Sequence, residues 1–282
     1  MKLSVFTAAT PDLTPEELVS AARDAGITGV EWRYKDVPPE MAHETPSYWR
    51  NNLCSISSDW DEAELIRFRQ AVEANGMITV SVTPYLTCGD LEGTRRVLEA
   101  ARKLGASFIR LGVHRYDRSR RYGGLFEEQL AYLKAAESLC AQYGVKGLVE
   151  THHVTIAPSA SAAYRLVEGL SPDHIGVLYD PGNMVYEGFE NYRMGMELLG
   201  PYLAHVHVKN AGWEPGPEEN GIVRWTSGGC SFRSGMVDWR QVISDLQAVG
   251  YQGWLGAEDF SGELSGREML RQYGQFMNSL LK

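Results

Sequence analysis

Cysteine is scarce and scattered: Cys54, Cys88, Cys140 and Cys230 lie far apart, with no CxxC pair among them. This argues against a disulfide-stapled scaffold or a thiolate zinc knot, and predicts reduced thiols in a cytoplasmic protein. Positive charge is the second shortage. Lys and Arg number 27 against 36 Asp and Glu, a net charge of -9. Nucleic acid is therefore a poor partner, because phosphodiester binding draws most of its affinity from basic side chains. Long apolar runs are missing as well. None is long enough to span a bilayer, and MKLSVFTAAT is too short an apolar start for a signal peptide. Taken together, the absences predict a soluble protein that handles a small polar metabolite, without nucleic acid or membrane.

What is abundant is a repeated phrase of helix, glycine and strand. It reads ARDAG–ITGVEW at Gly26, VEANG–MITVSV at Gly76, ARKLG–ASFIRL at Gly105, CAQYG–VKGLVE at Gly144, MELLG–PYLAHVHV at Gly200 and LQAVG–YQGWLGAE at Gly250, with Gly169 before SPDHIGVLYD as a seventh. Helices commonly end on a left-handed glycine before the chain turns into a strand. With the opening KLSVF and a last helix over about 264–281, the pattern predicts one domain over 1–282, a closed (β/α)8 TIM barrel. Thr14, Pro15 and Glu17 form a capping box, and Asp238 with Gln241 reads as another helix start.

The glycine spacing also locates the long loops. Fifty residues separate Gly26 from Gly76 and Gly200 from Gly250, against 29 between Gly76 and Gly105. The surplus follows strands two and seven, roughly 34–60 and 210–237, on the face where barrel active sites form, so both segments are candidate lids. They carry Tyr48, Trp49, Trp213 and Trp225, which can stack on a sugar ring or simply pack the loop or a dimer contact. A homo-oligomer is compatible with this reading.

Four residues that bind hard cations stand at the ends of consecutive apolar runs: Glu150 in GLVE, Asp180 in IGVLYD, His207 in AHVHV and Glu258 in WLGAE. On the barrel map they end strands five to eight and line one side of the mouth. Any one of them has a structural alternative, such as capping the next helix, but four in succession predict a metal site. Three carboxylates and an imidazole favour manganese, magnesium or cobalt over zinc; manganese is the first expectation and zinc an alternative. His205 and His207 share a strand face, and His207, nearer the carboxyl end, is the expected ligand. His205 should sit deeper, as a core histidine.

In order and spacing, VETHH at 149–153, YDPGNM at 179–184, HVHVKN at 205–210, GMVDW at 235–239 and AEDF at 257–260 resemble the xylose isomerase-like TIM-barrel superfamily. That group holds sugar phosphate isomerases and epimerases and the endonuclease IV type of repair enzyme. The resemblance covers nearly the whole chain and implies one divalent metal on Glu150, Asp180, His207 and Glu258. Asn183 stands where the repair branch and several epimerases have histidine, and SVTPY at 81–85 lacks one, so a multi-metal repair cluster is not expected.

A metal there, acting as a Lewis acid, stabilises an ene-diolate and acidifies the neighbouring C–H. By resemblance to related epimerases, Glu150 and Glu258 are the expected acid/base pair of an isomerase or epimerase of a sugar or polyol ketone. A lyase or dehydratase acting on an inosose, keto-sugar or keto-glycoside is the alternative, and a non-catalytic binding subunit the third reading. Expected substrate contacts are His152, Asn183, Lys209, Arg224 and His114, with Glu31 lining the pocket or supporting the site from behind. A lone histidine or lysine among these is as often structural. Arg224 and the SGGCS stretch lie in the loop where barrels often bind phosphate, so phosphorylation of the substrate stays open.

Overall fold

A computed structural model describes residues 1–282. Eight parallel strands close into a barrel: β1 (Lys2–Phe6), β2 (Gly29–Tyr34), β3 (Ile78–Pro84), β4 (Phe108–Arg110), β5 (Lys146–Glu150), β6 (Ile175–Tyr179), β7 (Leu203–Val208) and β8 (Trp254–Ala257). Each pairs with its neighbour in chain order, and β1 pairs with both β2 and β8, which closes the ring. The glycine phrasing predicts this register of elements. All seven marker glycines adopt positive φ, between 51° and 86°, a region where a side chain would strain the turn out of the helix.

Local chemistry starts the helices where expected. Thr14 and Glu17 make a reciprocal capping box on the helix Pro15–Asp24, with proline in its first turn. Asp238 accepts from the N–H groups of Arg240 and Gln241 at the start of Trp239–Ala248. One short helix, Pro181–Glu187, falls outside the one-per-strand count. It begins directly after β6 because Asp180 caps it, accepting from the Asn183 N–H, with Pro181 at its first position.

The two long segments differ. The chain after β2 crosses the mouth as irregular structure with a 3-10 turn at Pro39–Met41 and a two-residue strand, Ser55–Ile56, against the end of β2. The segment after β7 is not an irregular loop: Asn210–Glu219 and Ile222–Cys230 pair as an antiparallel hairpin. Inward residues of the strands and the inner faces of the helices merge into one core of 65 buried apolar residues. The carboxyl ends of the strands, where barrel active sites form, carry the charged cluster described below.

Candidate active site

The strand ends bring Glu150, Asp180, His207 and Glu258 together, each side chain at most 5% exposed. His207 Nδ1 has no hydrogen-bond partner. It faces Glu150 Oε1 at 3.7 Å, Glu258 Oε2 at 3.7 Å and Asp180 Oδ2 at 4.0 Å. One donor atom from each of the four residues lies within 4.8 Å of all the others. Bonds of about 2.0–2.2 Å to a common ion require separations of this order. An orphaned imidazole nitrogen aimed at three buried carboxylates thus has the size and donor set of a divalent-cation site.

Electrostatics agree with the geometry. Burial pushes the Asp180 carboxyl up, against the pull of Lys209 and with the repulsion of Glu258. Burial would lower the proton affinity of the His207 imidazole, yet Glu258 and Glu31 draw it well above its ordinary value. The centre attracts positive charge and is crowded with negative charge.

Each donor is held from behind. Glu31, fully buried on β2, accepts from Ser4 Oγ at 2.7 Å and meets His207 Nε2 at 3.0 Å. His205 Nε2 lies 2.9 Å from the other Glu31 oxygen, too poorly aligned for a full hydrogen bond. Burial acts to raise the Glu31 carboxyl, but His205 and His207 outweigh it and hold it far below the usual range. Glu31 therefore stays ionised and accepts the Nε2 proton of His207, so Nδ1 is the nitrogen turned to the carboxylates and the one a cation would take in place of a proton. Asn183 donates from Nδ2 to Asp180 at 2.7 Å and to Glu150 at 3.3 Å. Arg110 Nη1 donates to Glu150 Oε2 at 2.7 Å, and Lys209 Nζ to Glu258 Oε2 at 2.8 Å.

Above the cluster opens a cavity of about 570 Å³. Of the four clustered donors, Glu150 and Glu258 line it, while Asp180 and His207 do not. His152, Lys209 and His114 line it too. His152 Nδ1 is engaged at 2.7 Å with the His153 carbonyl, and His153 stacks between His152 and Tyr186. His114 Nε2 lies 3.1 Å from Glu128. Asn183 is fully buried behind the carboxylates and does not line the cavity. Arg224 stands apart, exposed on the hairpin. Its placement there follows from strand pairing, which carries 222–230 outward from the mouth.

The aromatic expectations divide in the same way. Trp49 lines the cavity and packs on Phe260, which Tyr48 also touches. Trp213 donates to the Val185 carbonyl and Trp225 is 57% exposed on the hairpin; neither lines the cavity. Among the cavity residues that the sequence does not single out are Arg110 and Tyr85. Their signal was positional: Arg110 ends β4, and Tyr85 follows Pro84 at the end of β3.

A family model described as xylose isomerase-like TIM barrel matches residues 19–280. A protein named inosose dehydratase from Geobacillus thermodenitrificans (strain NG80-2) is 25% identical over 126 residues, 43% of this chain and 42% of that protein's length. The rhizopine catabolism protein MocC of Rhizobium meliloti is 25% identical over 267 residues, 88% of this chain and 75% of that protein. Among solved structures, the IOLI protein with a bound zinc atom superposes with a TM-score of 0.73 at 15% identity, covering 100% of this chain and 98% of that one. The apo 3-keto-D-glucoside 4-epimerase YcjR of E. coli gives 0.72 at 16% identity, covering 99% of each chain.

Proposed function

Because the chain belongs to the xylose isomerase-like TIM barrel family, we propose that it is a divalent-metal-dependent isomerase or epimerase of a sugar or polyol ketone. The reaction removes a proton next to a carbonyl and passes through an ene-diolate. Glu150, Asp180, His207 and Glu258 would hold the ion, with manganese the first choice. When bound, it supplies Lewis-acid polarisation of the substrate oxygens.

The single observation that carries this reading is the division within the cluster. All four donors converge, but only Glu150 and Glu258 also reach the cavity. A carboxylate that faces substrate can exchange a proton with it; one sealed in the wall cannot. Glu150 and Glu258 are therefore the acid/base pair, each poised by its own cation. Arg110 holds Glu150 and Lys209 holds Glu258; burial acts to raise both carboxyls, but Arg110 with His207 and His152 on Glu150, and Lys209 with His207 on Glu258, together keep them below their ordinary range. Both are thus held as carboxylates, the form from which a general base acts, at lowered basicity. His152, Lys209 and His114 would orient substrate hydroxyls from the cavity wall, and Asn183 would serve by holding Glu150 and Asp180. Arg224, exposed on the hairpin, has no part in this reading.

A lyase is the second reading. Proton removal beside a carbonyl is also the first half of an elimination, and the similarity to proteins named inosose dehydratase favours keeping it. The test is solvent deuterium incorporation into ketoses, inososes and keto-glycosides with added manganese, followed by product analysis. Label retained in an isomer or epimer supports the first reading, and loss of water or a leaving group the second. Stoichiometric metal with no exchange on any substrate would refute both.

A further inference from the structure

The cavity does not end at the catalytic carboxylates. Pro84, Tyr85 and Leu86 form its wall on one side and, on the other, the wall of a second groove of about 590 Å³ between the segments after β2 and β3. Tyr85 is the sill between them. Its ring is bracketed by Arg110 at 5.0 Å, Lys35 at 5.1 Å and Arg33 at 5.8 Å, so it is held as a fixed edge. Trp49 stands over the sill edge-on, 6.5 Å from Tyr85, and remains 51% exposed although Phe260 packs against it.

Size makes the same point. A pyranose with its hydroxyls occupies on the order of 200 Å³ at the packing density of organic solids. The first cavity alone exceeds this more than twofold. A ring placed against Glu150 and Glu258 fills less than half of that volume, and Arg110 links the carboxylate end to the sill, bonded to Glu150 and packed on Tyr85. Across the sill the groove carries charged side chains: Lys35, which has no carboxylate partner, with Asp36, Asp59, Asp90, Glu92 and Arg96. Arg33, fully buried under this wall, also lacks a carboxylate partner, and its Nε has no hydrogen bond.

We propose that the Trp49–Tyr85 sill and the groove beyond it form a second subsite, and that the natural substrate is a glycoside carrying a second ring, not a free monosaccharide. The reacting ring sits at Glu150 and Glu258, and the attached ring packs against Trp49 and extends over Tyr85 toward Lys35. This rests on the proposed function for which ring reacts, but the subsite itself is tested by binding alone. A second glycosyl unit and an aryl aglycone share the ring chemistry, so both are tried.

Trp49 fluorescence is titrated with glucose, cellobiose and phenyl glucoside, using Trp49→Phe to assign the signal. The ring-bearing ligands should bind at least tenfold more tightly than glucose. Lys35→Ala and Tyr85→Ala should each reduce that preference several-fold while leaving the circular dichroism spectrum unchanged. Preference for cellobiose alone assigns a glycosyl subsite, and for phenyl glucoside alone an aryl one. Equal binding of glucose and both glycosides, or a preference untouched by the substitutions, overturns the proposal. Deuterium exchange on a free ketose reports separately on the catalytic reading.

Discussion

Replacing Glu31 by glutamine tests how the site presents its imidazole. The side chain keeps its volume but loses its charge. In the wild type one oxygen faces Ser4 and His205 and the other faces His207 Nε2 at 3.0 Å. An amide has one oxygen for these three neighbours. If its NH2 group turns to His207, the ring must accept at Nε2 and carry its proton on Nδ1, pointing at the three carboxylates. If the oxygen stays with His207, it is a weaker acceptor than a carboxylate, and the imidazole becomes a poorer ligand. Both outcomes reduce cation affinity, by about ten- to a hundredfold for a lost outer-shell partner, or about 1.4–2.7 kcal/mol. Competition against a fluorescent chelator measures this on folded protein, with circular dichroism as the check on structure. A Glu31→Gln protein that binds manganese within threefold of wild type would show that Glu31 does not set the histidine's tautomer.

Four further outcomes are expected. Gly256→Ala should resemble Glu31→Gln, because a Cβ there would intrude on the Glu31 carboxylate and crowd His207; chelator competition again reads it, and normal affinity would contradict the packing. Glu258→Gln should abolish deuterium exchange even with manganese added until elemental analysis shows the site filled, and full turnover would remove Glu258 from the acid/base pair. Arg110→Met strands the buried Glu150 carboxylate, so stability should fall by about 3–5 kcal/mol in urea titration, and an unchanged midpoint would mean the pair is relaxed by water. Manganese at a hundred times its dissociation constant should stabilise the fold by about 2.7 kcal/mol, a rise in melting temperature that chelator reverses.

How much of this was legible before folding depends on the range of the interaction. The marker glycines are local signals, each ending a helix, so they locate the strands without any knowledge of their neighbours. Glu150, Asp180, His207 and Glu258 were legible for a related reason: in a parallel barrel, consecutive strand ends are spatial neighbours, so order along the chain becomes order around the mouth. Asn183 was expected among the substrate contacts, but its position three residues after Asp180 says nothing of depth. The short helix that Asp180 caps turns Asn183 into the wall, where it holds two carboxylates.

Arg110 and Tyr85 show the opposite limit. Nothing in IRL or TPY distinguishes them from residues at any strand end, and their roles arise from partners 40 residues away for Arg110 and Glu150, and across the mouth for Tyr85 and Trp49. Arg224 sits in the expected segment, but hairpin pairing projects it into solvent. The amino-acid sequence by itself determined the barrel, the order of its strands and the four charged strand ends that cluster at its mouth, because helix stops, apolar runs and strand-end charges are properties of short segments. Only the tertiary structure decided which donors face the cavity, which cation poises each carboxylate, and where the cavity continues past Tyr85. Those are relations between residues distant in the chain, created when the barrel closes.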